Sequence, residues 1–185
     1  MRIIKDPDVI FRMLKRLKLK NKTIGFIPTM GALHEGHLSL IRAARKESDY
    51  LVVSIFVNPI QFGPKEDLKR YPRPIKRDLE ICRKEKVDFV FNPSPARIYS
   101  KRFSTFVNVG ELGEILCGKS RPNHFKGVAT IVAKLFNLIG PDKAYFGQKD
   151  AQQAFIIKRM VEDLNIPIKI RVMPIVREKD GLAMS

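Results

Sequence analysis

At 185 residues and 44% hydrophobic content, the chain can bury one real core and suits a single domain with at most a short appendage. The longest apolar run, Leu51 to Val57, contains Ser54 and is far too short to span a membrane. The N-terminus, Met1-Arg2-Ile3-Ile4-Lys5-Asp6-Pro7, has no apolar signal core, so no membrane partner and a cytoplasmic location are expected. Thirty-five basic against 19 acidic residues leave +16, yet much of the excess is spread over helix faces, as in Arg12, Lys15, Arg16, Lys18 and Lys20. No aromatic-interleaved basic patch accompanies it, so it reads as a solvated surface with no nucleic-acid partner.

Asp6-Pro7 has the pattern of an N-cap followed by proline at the first helical position. Val9, Ile10, Met13, Leu14 and Leu17 then recur at helical spacing, which predicts an amphipathic helix over 7–19. Asn21-Lys22 breaks it, and Thr23 to Pro28 reads as the first central strand. A helix over 36–47 follows, then Tyr50 to Val57, almost continuously apolar and β-branched, as in a strand buried on both faces of a parallel sheet. Asn58-Pro59-Ile60-Gln61-Phe62-Gly63-Pro64 ends that strand. A loop through Tyr71-Pro72-Arg73-Pro74, a helix over 75–86 and a strand Val87 to Phe91 complete the first half, which Asn92-Pro93-Ser94-Pro95 closes.

Phe103 to Val109 alternates as a strand nearer an edge would, and 111–117 suits a short helix. A polar loop, 118–124, precedes a largely apolar helix over 125–139, stopped by Gly140-Pro141. Lys143 to Phe146 is a short strand. Gly147 to Asp150 is a strand-to-helix turn with Asp150 available as an N-cap. A helix over 151–164 and a strand from Ile168 to Val172 finish the regular elements, with a loop at Arg177 to Gly181. Strands alternating with helices through short connections argue for an α/β fold, a parallel sheet covered by helices.

Three stretches could carry chemistry. Thr29 to His37 lies between a strand and a helix, where backbone N–H groups can hold a phosphate. His34 and His37 stand three apart with Gly36 between them, the His-x-Gly-His signature of nucleotidyl-transferring α/β proteins. They could also be surface residues, or two metal ligands with His124 as a third, although no Cys or Glu pattern of a zinc site accompanies them. Asn58 and Gln61 fall after a buried strand's C-terminal end, where open parallel sheets bind ligands. Turn chemistry alone accounts for Asn58-Pro59, but less well for Gln61. Lys149, in Gly147-Gln148-Lys149-Asp150, could neutralise a transferring phosphoryl group or simply be solvated. Of Gln152 and Gln153, one should face the cleft and the other be structural. Asp78, beside Lys76 and Arg77, reads as a solvated partner of its helix rather than a Mg²⁺ ligand. Cys82 and Cys117 sit in no paired motif and read as buried, reduced thiols, with Cys117 in the core rather than a nucleophile.

Taken together, five blocks resemble one family. Pro28 to His37, Ser54 to Phe62, Arg121 to Phe125, Tyr145 to Gln153 and Val176 to Ser185 are similar, in order and from about residue 2 to the end, to pantothenate synthetases (pantoate–β-alanine ligases). The resemblance implies a Rossmann-like nucleotidyltransferase domain in a cytoplasmic homodimer. It implies that pantoate carboxylate attacks the α-phosphate of ATP, giving pantoyl adenylate and pyrophosphate, and that the amine of β-alanine then gives pantothenate and AMP. Mg²⁺ accompanies ATP, with no protein ligand set of its own. By the same resemblance, Met30, Gly31, Ala32, Leu33, His34, Glu35, Gly36 and His37 form the ATP loop, with His37 the proton donor and His34 its phosphate-side companion. Gly147, Gln148, Lys149 and Asp150 form a second ATP segment with Lys149 on the phosphates and in the catalytic set. Gln61 meets pantoate and β-alanine with Asn58 beside it, and Gln153 meets pantoate. Val176 is an adenine-side contact, and Met184-Ser185 open a mobile ATP loop.

Members of that family continue with another serine, an arginine and an asparagine, and then a smaller domain that lids the site. The expectation is therefore an ATP- and pantoate-binding domain over 1–185 without its lid, and adenylation slower than in a complete enzyme. Asn123 stands where the family often has glycine. Two rival readings are another His-x-Gly-His nucleotidyltransferase, which the Gln61 and Gln148-to-Gln153 blocks oppose, and a non-catalytic ATP- or RNA-binding module.

Overall fold

A computed structural model describes every residue of the chain except Lys65 and Asp67. Among the described residues the strands are β1 (Arg2–Ile4), β2 (Ile24–Thr29), β3 (Tyr50–Ile55), β4 (Phe89–Phe91), β5 (Lys143–Gly147) and β6 (Lys169–Met173). They pair in parallel throughout, in the order β1-β4-β3-β2-β5-β6. The helices are α1 (Pro7–Lys18), α2 (Glu35–Glu47), α3 (Ile75–Lys84), α4 (Pro95–Ile98), α5 (Cys117–Ser120), α6 (His124–Ile139) and α7 (Ala151–Asp163).

Each face of the sheet has its own core. Ile10 and Leu14 of α1, the apolar side of α6 and Ala154, Ile157 and Met160 of α7 pack with Phe26, Val52, Phe91 and Phe146. Leu40 and Ile41 of α2 and Cys82 of α3 pack with Ile27, Val53, Val90 and Tyr145. Helices thus cover both faces, as the alternation of elements predicts. Strand β3 is buried on both sides, with Leu51, Val52 and Val53 wholly inaccessible, which is why it reads as a continuous apolar run. The start of α1 is as expected. Asp6 Oδ1 accepts from the amides of Asp8 and Val9, at 2.9 and 3.2 Å, and Pro7 occupies the first turn. Gly140, at φ +56°, closes α6 by donating its N–H to Phe136 O. The basic residues of α1 are exposed, in keeping with a solvated face.

The structure departs from the sequence reading in several places, and α5 takes residues 118–120 of the loop expected over 118–124. The edge strand β1 has only three residues, too few for a periodicity to declare itself. Phe103 to Val109 forms no strand. Its alternation serves a different surface: Val107 and Val109 pack on the core, and the Val107 N–H donates to Thr130 Oγ1 of α6 at 2.9 Å rather than to a ladder. Residues 111–117 divide into a 3₁₀ turn, Gly110–Gly113, and the start of α5, separated by Leu116 at φ +48°. Cys82 is buried, but Cys117 is exposed rather than in the core, and both are free thiols.

In such a sheet the chain leaves β2 toward β3 on one side and leaves β5 toward β6 on the other. The crevice between the C-terminal ends of β2 and β5 is therefore the topological switch point, where open α/β sheets bind ligands.

Candidate functional site

The first wall of the crevice is the turn from β2 into α2. Thr29 Oγ1 donates to Ser54 O at 2.7 Å and accepts from the Gly31 amide at 3.1 Å. Gly31 and Ala32 then adopt φ of +89° and +52°, the second unusual for a residue with a side chain. Asp78 holds them there. Its Oδ2 accepts from the Ala32 amide at 2.9 Å and its Oδ1 from the Leu33 amide at 2.8 Å. Asp78 is 1% exposed, so it is not the solvated helix residue that its neighbours Lys76 and Arg77 suggest. It is the buried clasp of the loop.

His34 is the N-cap of α2. Its Nδ1 accepts from the Gly36 amide at 3.2 Å, and His37 Nδ1 accepts from the His34 amide at 3.4 Å, a reciprocal capping box made of two imidazoles. An accepting Nδ1 carries no proton, so each neutral ring bears its hydrogen on Nε2. Burial, then His34 and Lys149, pushes the His37 pKa down to about 4, and burial followed by Lys149 lowers that of His34. A Cβ on Gly36 would stand 2.8 Å from His34 Cε1, so the glycine makes room for that ring. The amides of Gly31, Ala32, Leu33, His34 and Gly36 are all engaged within the protein. This loop therefore offers a ligand two imidazole N–H groups more than it offers the backbone N–H cradle its sequence suggests.

The opposite wall follows β5. Lys149 extends its Nζ to Ser185 Oγ at 2.8 Å and lies 3.8 Å from Asp150. Asp150 stands at the start of α7 but makes no side-chain cap bond. Gln153 lines the crevice. Gln152 turns away: its amide donates to Leu112 O and Ile115 O and accepts from the Cys117 N–H. The division of labour expected of this pair is what the structure has.

The floor comes from the 3₁₀ turn Pro59–Gln61 after β3. Asn58 and Gln61 are 1% and 8% exposed. Asn58 is saturated by protein: Nδ2 donates to Gln61 Oε1 at 2.9 Å and to Gly127 O at 3.1 Å, and Oδ1 accepts from Tyr99 Oη at 2.7 Å. It positions Gln61 rather than reaching a ligand itself. Gly127 lets α6 close on this turn, since a Cβ there would lie 2.7 Å from Gln61 Cα. His124 completes the clamp. Its Nδ1 faces Gln61 O at 2.9 Å and its Nε2 faces Arg121 Nη1 at 3.1 Å, while Arg121 is ion-paired with Glu66. The carbonyl can only accept, so Nδ1 carries the proton and Nε2 accepts from the guanidinium. With both nitrogens occupied, His124 is no third metal ligand. Among the described residues, no three His, Cys, Asp or Glu side chains gather as a metal site would require.

The crevice has a volume of about 590 Å³. Met30, Gly31, Ala32, His34, Gly36, His37, Gly147, Lys149, Asp150, Val176, Met184 and Ser185 of the expected nucleotide set line it, together with Asn58, Gln61 and Gln153. Three others do not. Leu33 is buried beneath the loop, Glu35 pairs with Arg42 on the surface, and Gln148 is exposed outside the lining. Sequence reasoning missed Asp78, Tyr99 and Gly127 as parts of this site; it named Arg121 through family likeness, and His124 through that likeness and as a third metal ligand, a role its contacts exclude. The one local signal was a glycine at position 127 inside a strongly apolar helix.

A family model described as Pantoate-beta-alanine ligase matches residues 2–185. A pantothenate synthetase of Thermosipho melanesiensis is 58% identical over 185 residues, which are 100% of this chain and 66% of the relative. One of Caldicellulosiruptor saccharolyticus is 60% identical over 173 residues, 94% of this chain and 62% of the relative. Among solved structures, pantothenate synthetase from Thermus thermophilus superposes with a TM-score of 0.95 at 46% identity, covering 100% of this chain and 66% of that one. Pantoate-beta-alanine ligase from Francisella tularensis, complexed with beta-gamma ATP and beta-alanine, superposes with a TM-score of 0.95 at 42% identity, covering 100% and 71%. The chain thus spans about two thirds of the length of these curated relatives.

Proposed function

The chain belongs to the pantoate–β-alanine ligase family, and we propose on that footing that it binds ATP and pantoate and activates pantoate for condensation with β-alanine. Pantoate carboxylate attacks the α-phosphorus and displaces pyrophosphate. The β-alanine amine then attacks the acyl carbon of pantoyl adenylate, and AMP leaves. The observation that carries this reading is the pairing across the switch point. Lys149, His34 and His37 line one crevice with the uncharged amides Gln61 and Gln153; in this reading the first three serve the polyphosphate and the two amides serve the small dihydroxy acid. Two anions must be brought in line, so charge is needed at the phosphates and neutral donors at the acid, where a cation would trap the nucleophile.

In this reading His37 acts as a hydrogen-bond donor through Nε2–H, since a ring whose pKa lies near 4 carries no spare proton at neutral pH. His34 has the same part on the neighbouring oxygen. Val176, Met184 and Ser185 flank the nucleotide. Mg²⁺ would travel with ATP, held mainly by phosphate oxygens, with Asp150 the acidic side chain on the crevice wall. The ion would offset phosphate charge when bound. A cytoplasmic homodimer belongs to the same proposal, and no described helix is long and apolar enough to cross a membrane.

Isotope exchange between pyrophosphate and ATP, run with and without pantoate, tests the reading. Exchange that requires pantoate is expected. Exchange indifferent to pantoate would point to another nucleotidyl acceptor. ATP binding without exchange would leave a nucleotide-binding module.

A further inference from the structure

An amide side chain can present either its oxygen or its NH₂ to a ligand, and the two recognise opposite partners. At Gln61 the choice is made by a chain of contacts that begins outside the crevice. Gly127 O is an acceptor only, so the Asn58 atom 3.1 Å from it must be Nδ2. That orientation turns Asn58 Oδ1 toward Tyr99, whose hydroxyl donates at 2.7 Å. The second hydrogen of Asn58 Nδ2 is left for Gln61 Oε1 at 2.9 Å. With its oxygen occupied, Gln61 has only Nε2 for the crevice, where it now meets Met30 Sδ at 3.3 Å, a weak acceptor that a ligand oxygen readily replaces. Tyr99 is itself held firmly. Its ring contacts Phe56 and Phe103, with centroids 6.3 and 4.8 Å away, and Lys134 Nζ lies 5.7 Å from its centroid.

We propose that Tyr99 is a positioning residue that locks the Gln61 amide with its NH₂ toward the crevice, so that Gln61 recognises oxygen acceptors of a substrate and never an amine. The part concerning substrates rests on the function proposed above, and the lock does not. Hydroxyl and carboxylate oxygens of pantoate, or the carboxylate of β-alanine, satisfy such a donor. The amine of β-alanine does not need it and stays free. An exposed amide oxygen at this point would instead favour the ammonium form, which has no lone pair for attack. Without the Tyr99 donor, Asn58 Oδ1 is left buried and unpaired; Gly127 O still opposes an inverted Asn58, so the relief is a shift of the Asn58–Gln61 pair that leaves the Gln61 NH₂ less firmly aimed.

Nuclear Overhauser contacts in the free wild-type protein read the lock directly. The Gln61 side-chain NH₂ protons should lie near the Met30 methyl group. Gln61 NH₂ protons close to Tyr99 and remote from Met30 would mean that the oxygen faces the crevice, and would overturn the lock. In Tyr99→Phe the Gln61 side-chain amide signals should shift and broaden. The pantoate concentration for half-maximal ATP–pyrophosphate exchange should rise about tenfold, a loss typical of one buried hydrogen bond, while that for ATP moves less than about twofold. An equal rise for both substrates, or no change in either spectrum or kinetics, refutes the positioning role. Wild-type protein with no pantoate-dependent exchange would defeat the function reading alone, because the proton contacts still judge the lock.

Discussion

His37 has an ordinary pKa of 6.5 but titrates near 4 in its folded place. Between those values the unfolded chain holds the extra proton, so stability is complete above pH 6.5 and falls as acid is added toward pH 4. The full effect is on the order of 3 kcal/mol. Urea unfolding of His37→Gln should show that pH dependence flattened. For the same reason, kcat/KM of the free wild-type protein should show no break near pH 6.5, and its acid limb should lie well below that. Asp78 offers a second test. Its two carboxylate oxygens serve two amides, whereas an asparagine can serve one and sets an NH₂ against the other. Asp78→Asn should cost about 2 kcal/mol in thermal unfolding and weaken ATP, with pantoate affected less. The histidines were legible because their spacing is local. Asp78 was not, because its partners lie 46 and 45 residues away and its sequence neighbours are cations that suggest solvent.

At the scale of elements, α6 and the Pro59–Gln61 turn meet where a side chain has no room. A Cβ at Gly127 would stand 2.5 Å from Ile60 O and 2.7 Å from Gln61 Cα, both backbone atoms that cannot rotate away. Gly127→Ala should therefore destabilise the fold by about 1–3 kcal/mol and displace Gln61, raising the KM for pantoate. Calorimetry and steady-state kinetics check the two halves. The elements with strong periodicity or hard punctuation were legible: α1 from its cap and apolar stripe, β3 from its apolar run, α6 from its length and Gly140. Phe103 to Val109 misleads because alternation records a surface with two faces and not what that surface meets. Here it meets a helix. Asn123, at φ +65°, also gains a reason: this left-handed backbone is one that glycine adopts freely and asparagine tolerates, so the exchange is a mild one.

At the scale of the molecule, the relatives extend over about a third more of their own length than this chain matches. The 185 residues supply the floor and two walls of an open crevice. Ser185 Oγ sits 2.8 Å from Lys149 Nζ, and Met184 N–H binds Val176 O, so residue 185 lies at the mouth of the crevice. Residue 2 begins β1, at the opposite edge of a wholly parallel sheet. A bulky group attached at residue 185 would therefore crowd the crevice, whereas one attached at residue 2 would not. Conversely, an environment-sensitive dye on a cysteine at position 185, with Cys117 first replaced by serine, would stand beside Lys149 and should respond when a phosphate reaches the lysine, as the proposed function requires.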